Sequence, residues 1–183
     1  MILVLLLCFP FFMANAQLFD PEHRLSVQAL VGTSPVHTLM EKYKEELPEG
    51  SSYRNLLAPA ATIGAEFDLN EKWTIQGGIN LSRAIFEITR PEEAAPVREN
   101  GTVTFTGLFA VHYMWVRRDY FRVYSGVGVA MSPKVMMAVF FPSPIPSITP
   151  IGASVEFSHI YLTAEITAGG NSVGGVAGLG FRF

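Results

Sequence analysis

The chain is poor in charge and almost free of cysteine. Charged residues make up 16% of its 183 positions, where a soluble domain carries about 25%. The formal net charge of -3 supplies no basic field, and a nucleic-acid backbone requires one. Nucleic acid is therefore excluded as a partner class. After Ala16 no uninterrupted run of bulky apolar residues exceeds Val135 to Phe141, so no transmembrane helix is present and any membrane residence must be by strands. What the chain does have is 49% hydrophobic residues beside 16 glycines and 12 prolines. That mixture fits neither a disordered segment nor an ordinary water-soluble globule, and the length fits one domain.

The first 16 residues read as a targeting segment. An apolar stretch from Ile2 to Phe12 is followed by Ala14-Asn15-Ala16, the small-x-small pattern cleaved from secreted proteins. Read as a membrane anchor, its run of about 12 apolar residues falls short of the roughly 20 that span a bilayer as helix. Residues 1–16 are thus a signal peptide and 17–183 the mature domain. Cys8, the single cysteine, leaves with the signal. The mature chain then has no disulfide, no thiolate metal site and no cysteine nucleophile.

The remainder alternates with period two. From Thr102 to Val116 one parity reads Val103, Phe105, Gly107, Phe109, Val111, Tyr113, Trp115, and the other is small, polar or mixed. Trp73, Ile75, Gly77, Ile79 and Leu81 alternate in the same way against Thr74, Gln76, Gly78, Asn80 and Ser82. This is the signature of strands that meet two different solvents. The pattern gives eight strands, at about 24–33, 58–69, 72–89, 102–117, 119–132, 148–158, 160–169 and 174–183. Tight links at Asn70-Glu71-Lys72, Arg117-Arg118-Asp119 and Ser158-His159 alternate with longer ones at 34–57, 90–101 and 133–147. Short turns at one end and long loops at the other are the layout of an outer-membrane barrel. The predicted fold class is therefore all-β, an eight-stranded antiparallel up-and-down transmembrane β-barrel.

The last strand, Gly174 to Phe183, ends on an aromatic residue with Leu179, Phe181 and Phe183 on one face. It resembles the terminal signal of outer-membrane barrels. From cleavable signal to terminal Phe183 the chain resembles small eight-stranded barrels of the OmpA/OmpX type, without a peptidoglycan-binding domain. The resemblance implies recognition of Phe181 and Phe183 by the barrel-assembly machinery, and residence in the outer membrane of a double-membraned bacterium.

On this plan Leu25, Val27, Ala29, Val31, Ile63, Ala65, Phe67 and Leu69 face lipid, whereas Gln28, Glu66, Asp68, His112, Arg122, Glu156, Glu165 and Arg182 face the lumen. A lipid-facing charge costs a few kcal/mol. An eight-stranded barrel is just wide enough for side chains to fill. Glu66, Glu156 and Glu165 are accordingly expected to pair with Arg122 and Arg182 as a plug, satisfying buried charge. Trp73, Tyr113, Trp115 and Phe121 lie beside short turns, where an aromatic girdle is expected. In the first long connection, Thr38-Leu39-Met40-Glu41 fits a capping box, and Leu39, Tyr43 and Leu47 fall four apart. A short helix over the barrel mouth follows.

Val135, Met136, Met137, Val139, Phe140 and Phe141 precede Pro142, Pro144, Pro146 and Pro150. Two readings stand: strands that continue above the membrane with prolines blunting an exposed edge, or an apolar interaction loop for a surface ligand. A lipid-modifying enzyme, acyltransferase or deacylase, is the alternative function. It needs serine, histidine and a carboxylate in hydrogen-bond reach, and Ser158, His159 and Glu165 are the nearest such set, poorly aimed because adjacent strand residues face opposite ways. A third reading is a soluble lipocalin-like lipid carrier, polar outside and apolar inside. The leading expectation is a monomeric outer-membrane barrel in contact with lipid, with a structural or surface-interaction role, no cofactor, no metal site and no catalytic residues.

Overall fold

The computed structural model describes residues 25–39, 47–93, 95–136 and 139–183; residues 1–16, expected as a signal peptide, lie outside them. The fold is all-β, and the described residues form nine strands: β1 (Leu25–Thr33), β2 (Ser52–Leu56), β3 (Pro59–Asp68), β4 (Trp73–Thr89), β5 (Val97–Arg118), β6 (Phe121–Met136), β7 (Val139–Phe157), β8 (Ile160–Gly169) and β9 (Gly174–Arg182). One short helix, α1, covers Val36–Leu39. Eight strands close into an antiparallel up-and-down barrel in the ring order β1-β3-β4-β5-β6-β7-β8-β9, with β9 returning to β1. That last seam runs from Ser26↔Arg182 to Gly32↔Val176. The ninth strand, β2, lies above β3 on the same edge of β4 and pairs with its upper part, Ser52↔Thr89 to Leu56↔Ile85.

Alternation decides which way each side chain faces. Val31, Ile63, Ile79, Phe105, Val127, Ile166 and Leu179 are exposed on the outside, while Gln28, Thr62, Asn80, Thr106, Glu156 and Arg182 are buried within. Such a sheet is inverted relative to a soluble protein, with its greasy face outward.

Two long connections are shorter than periodicity alone implies. Alternation places the fourth of the eight strands at 102–117, but pairing with β4 carries that strand, β5, back to Val97, opposite Ile88. The described residues of 133–147 are strand, not loop. Pro133↔Pro142, Lys134↔Phe141, Val135↔Phe140 and Met136↔Val139 are register partners in one long hairpin, and Met137 lies outside the described residues. The strand extension expected in the first reading is observed, since the aliphatic and aromatic residues there favour pairing; the pairing does not bear on the interaction reading. The helix also begins earlier than the capping-box reading places it. The Pro35 carbonyl accepts from the Thr38 and Leu39 amides, and the Thr38 hydroxyl meets Ser82; Met40, Glu41 and Tyr43 of the expected capping box and helix lie outside the described residues.

Inside the barrel, ring side chains lie flat over glycines of the next strand. Tyr161 on β8 covers Gly180 on β9, Tyr124 on β6 covers Gly152 on β7, and His112 on β5 covers Gly126 on β6. A Cβ at any of these glycines would collide with the ring. Gly180→Ala should thus displace Tyr161 and lower stability by about 1–3 kcal/mol, the usual cost of overpacking. Urea titration of the folded protein in lipid vesicles checks this, with Gly175→Ala, where a Cβ meets nothing within 4 Å, as the neutral control.

Candidate functional site

The lumen is filled in layers, beginning at the short-turn end. There Asp68, the last residue of β3, is 2% exposed and accepts from two arginines. Arg117 Nη2 lies 2.5 Å from Asp68 Oδ2, and Arg122 Nη1 lies 3.1 Å from the same oxygen. Arg117 and Arg122 are direct register partners, and like charges so placed repel. Asp68 between them turns the repulsion into a bridge. Arg117 faces inward because a bulge between Met114 and Val116 shifts the parity of β5, which a strict two-residue alternation does not reveal.

The chain of charge continues across the lumen. Arg122 Nη2 lies 3.9 Å from Glu156 Oε2, and Arg182 Nη1 lies 2.7 Å from that oxygen. The result is an alternating row, Arg117–Asp68–Arg122–Glu156–Arg182, contributed by β3, β5, β6, β7 and β9. Of the expected network, Arg122, Glu156 and Arg182 are brought together. Glu66 and Glu165 are not part of it, and among the described residues neither has an ion pair with an arginine or lysine. They belong to the next layer, where neutral donors hold them. Tyr124 donates to Glu165 Oε1 at 2.6 Å, and Gln28 Nε2 donates to Glu66 Oε1 at 3.2 Å. The Tyr161 hydroxyl reaches Glu66 at 3.5 Å and Gln28 at 3.4 Å. It thereby ties β8 to β1 and β3 across the β1–β9 seam. His112 stacks on Tyr124 with ring centroids 5.0 Å apart.

At the other end α1 enters the mouth. Thr38 Oγ1 lies 3.1 Å from Ser82 Oγ, and the Ser34 hydroxyl donates to the Ala58 carbonyl at 2.9 Å. The helix touches both β4 and β8, which stand four places apart in a ring of eight and therefore on opposite walls. Above it, Ala84, Phe86 and Ile88 pack with Leu47.

The aromatic residues expected as a girdle occupy one end of the outer face. Trp73 and Tyr113 rings meet at 5.0 Å, Tyr113 and Trp115 at 5.0 Å, and Phe181 and Phe183 at 5.1 Å; Phe121 is half-buried beside them on β6. Ser158, His159 and Glu165 are not assembled: the His159 ring packs on outward Phe181, while Glu165 is buried in the lumen. Among the described residues no group of three His, Cys, Asp or Glu side chains could hold a metal ion.

Asp68 holds two arginines at once, Arg122 buried and Arg117 part-buried. Asp68→Asn should destabilise the barrel by about 3–5 kcal/mol, the cost of breaking a buried ion pair from one side. Asp119→Asn, in an exposed turn, should stay within about 0.5 kcal/mol. Unfolding midpoints of both variants in vesicles provide the check.

No protein-family model matches the chain. No curated protein matches it. Among solved structures it is similar to the translocator domain of the autotransporter NalP from Neisseria meningitidis, at 13% identity, over 97% of this chain and 95% of that one, with a TM-score of 0.37.

Proposed function

We propose that the protein is a monomeric outer-membrane β-barrel whose lumen is closed and whose role is structural or interactive instead of catalytic. The observation that carries this reading is the division of charge between the two faces. Around the ring the outward positions of the belt are apolar, glycine or proline apart from Ser125, with no charged side chain from Trp73 to Leu81 on β4, Val103 to Trp115 on β5 or Ile160 to Ala168 on β8. Eight residue steps on β4 rise about 27 Å, or roughly 21 Å along the membrane normal once tilted by about 40°. That height suits the thin apolar band of an outer membrane. Water would exact a large cost on such an exterior, and the polar lumen argues against a lipid carried inside.

Aromatic clustering beside the short turns supports placing that end at the periplasmic interface. The long hairpins β4–β5 and β6–β7 then project outward from the cell. The charge row at one end, the tyrosine layer in the middle and α1 at the other leave side chains filling the barrel at three levels, as expected of eight strands. The C-terminal aromatics Phe181 and Phe183 are the segment through which assembly machinery would engage the chain.

Outer-membrane extraction followed by gel mobility in SDS tests the reading. An unheated band that runs apart from the boiled one is the expected result, together with no steady large conductance in planar bilayers. A protein that stays free in the periplasm and shows no shift, or one that conducts steadily, would contradict it.

A further inference from the structure

Directly above the apolar belt, one outward patch is basic. On β4 the last belt residue is Leu81, and the next outward side chain is Arg83, which is exposed and has no ion pair among the described residues. Four residues further, Glu87 has Arg54 of β2 and Arg98 of β5 as its register partners on either side. Arg54 Nη2 lies 2.5 Å from Glu87 Oε1, and Arg98 Nε lies 3.7 Å from Glu87 Oε2. The carboxylate is 14% exposed, while the two arginine side chains are 72% and 73% exposed. Glu87 therefore fixes the inner edge of each guanidinium, and the outer edges face solvent.

An exposed ion pair alone contributes little to stability, about 0–1 kcal/mol, and explains neither the third arginine nor the position. Three guanidiniums against one carboxylate leave an excess of positive charge about 13 Å tall, at roughly 3.3 Å per residue from Arg83 to Glu87. It begins where the belt ends. Planar guanidiniums match phosphate oxygens in pairs, and basic side chains at a membrane surface draw anionic headgroups.

We propose that Arg83, Arg54 and Arg98 form a binding site for the phosphate groups of a membrane lipid in the outward-facing leaflet. Its acyl chains would lie against Leu81, Val103 and Phe105 below. Charge complementarity and continuity with the belt together select a lipid headgroup as the occupant. Added to the ring, β2 supplies Arg54 and so makes this wall the one able to hold such a headgroup from both sides of β4. The proposal rests on the membrane reading above.

The test uses the folded full chain in phosphatidylcholine vesicles containing lipid A, either phosphorylated or chemically dephosphorylated, followed by mild detergent extraction and measurement of co-purifying glycolipid. The wild-type protein should retain the phosphorylated form at least about tenfold better, the effect of one lost charge-assisted contact. Arg54→Gln, Arg83→Gln and Arg98→Gln combined should abolish the preference, and Arg118→Gln at the opposite end should preserve it. Equal retention by wild type and triple variant, both still shifting on boiling, would overturn the site while leaving the membrane reading intact. Removal of the bound lipid by millimolar inorganic phosphate would overturn the lipid assignment in favour of a free anion. Failure of the wild-type protein to float with vesicles would overturn the membrane reading and this site with it.

Discussion

A ring of eight strands is only wide enough for side chains to fill, so a charge that points inward is stabilised chiefly by an opposite charge reaching it across the lumen. This constraint organises the whole molecule. It explains why Asp68 accepts from Arg117 and Arg122 at once, since a single buried carboxylate otherwise leaves one of two facing arginines uncompensated. It also explains why Glu156 serves Arg122 and Arg182 together. The partners come from five different strands, so the row forms only when the ring has closed. Ionic pairing here adds specificity of register, because a slip of one residue on any strand would send its charge into the outer belt.

The same narrowness governs the neutral layer. Rings as large as Tyr124 and Tyr161 fit only if the facing position on the next strand has no side chain, and Gly152 and Gly180 provide that space. Each ring then reaches beyond its neighbour to a third strand: Tyr124 to Glu165 on β8, Tyr161 to Gln28 and Glu66 on β1 and β3. Glycine is normally a weak strand residue. Covered by a ring, it becomes the point at which two sheet neighbours are stapled together. At Gly180 that staple spans the seam where the chain's last strand meets its first, the junction formed from residues farthest apart in sequence.

Much of this is legible in the sequence alone. Alternation identified the eight wall strands and the inward set, because period two is set by backbone geometry and survives almost any packing. Pairings across the lumen were not legible, since they depend on register and shear. Arg117 was hidden by the bulge at Met114/Val116, which turns a residue of an apparent turn into the lumen. Glu66 and Glu165 look like partners for arginine by charge alone, yet Gln28, Tyr124 and Tyr161 lie at the registers that reach them. The strand β2 carried no signal of its own: Ser52 to Leu56 is short and lacks alternation, and it exists because β4 rises past β3 and leaves an edge to be paired.

That uneven height poses one last problem, and the prolines of β7 address it. Pairing between β7 and β8 starts only at Ser147↔Gly169, so β7 from Val139 to Pro146 rises beyond its neighbour with an edge toward the space above β8. The Pro146 carbonyl accepts from the Gly170 amide on that side at 3.0 Å. In an antiparallel strand every second residue directs its backbone groups the same way, so Pro144 and Pro142 share the phase of Pro146. Their missing N–H groups therefore fall on the open edge, where an unpaired donor would invite another strand. On the β6 side of the hairpin the ladder continues to Met136↔Val139. One face of the ribbon is thus closed by pairing and the other by proline, which lets a long apolar hairpin stand clear of the ring without offering itself to its copies.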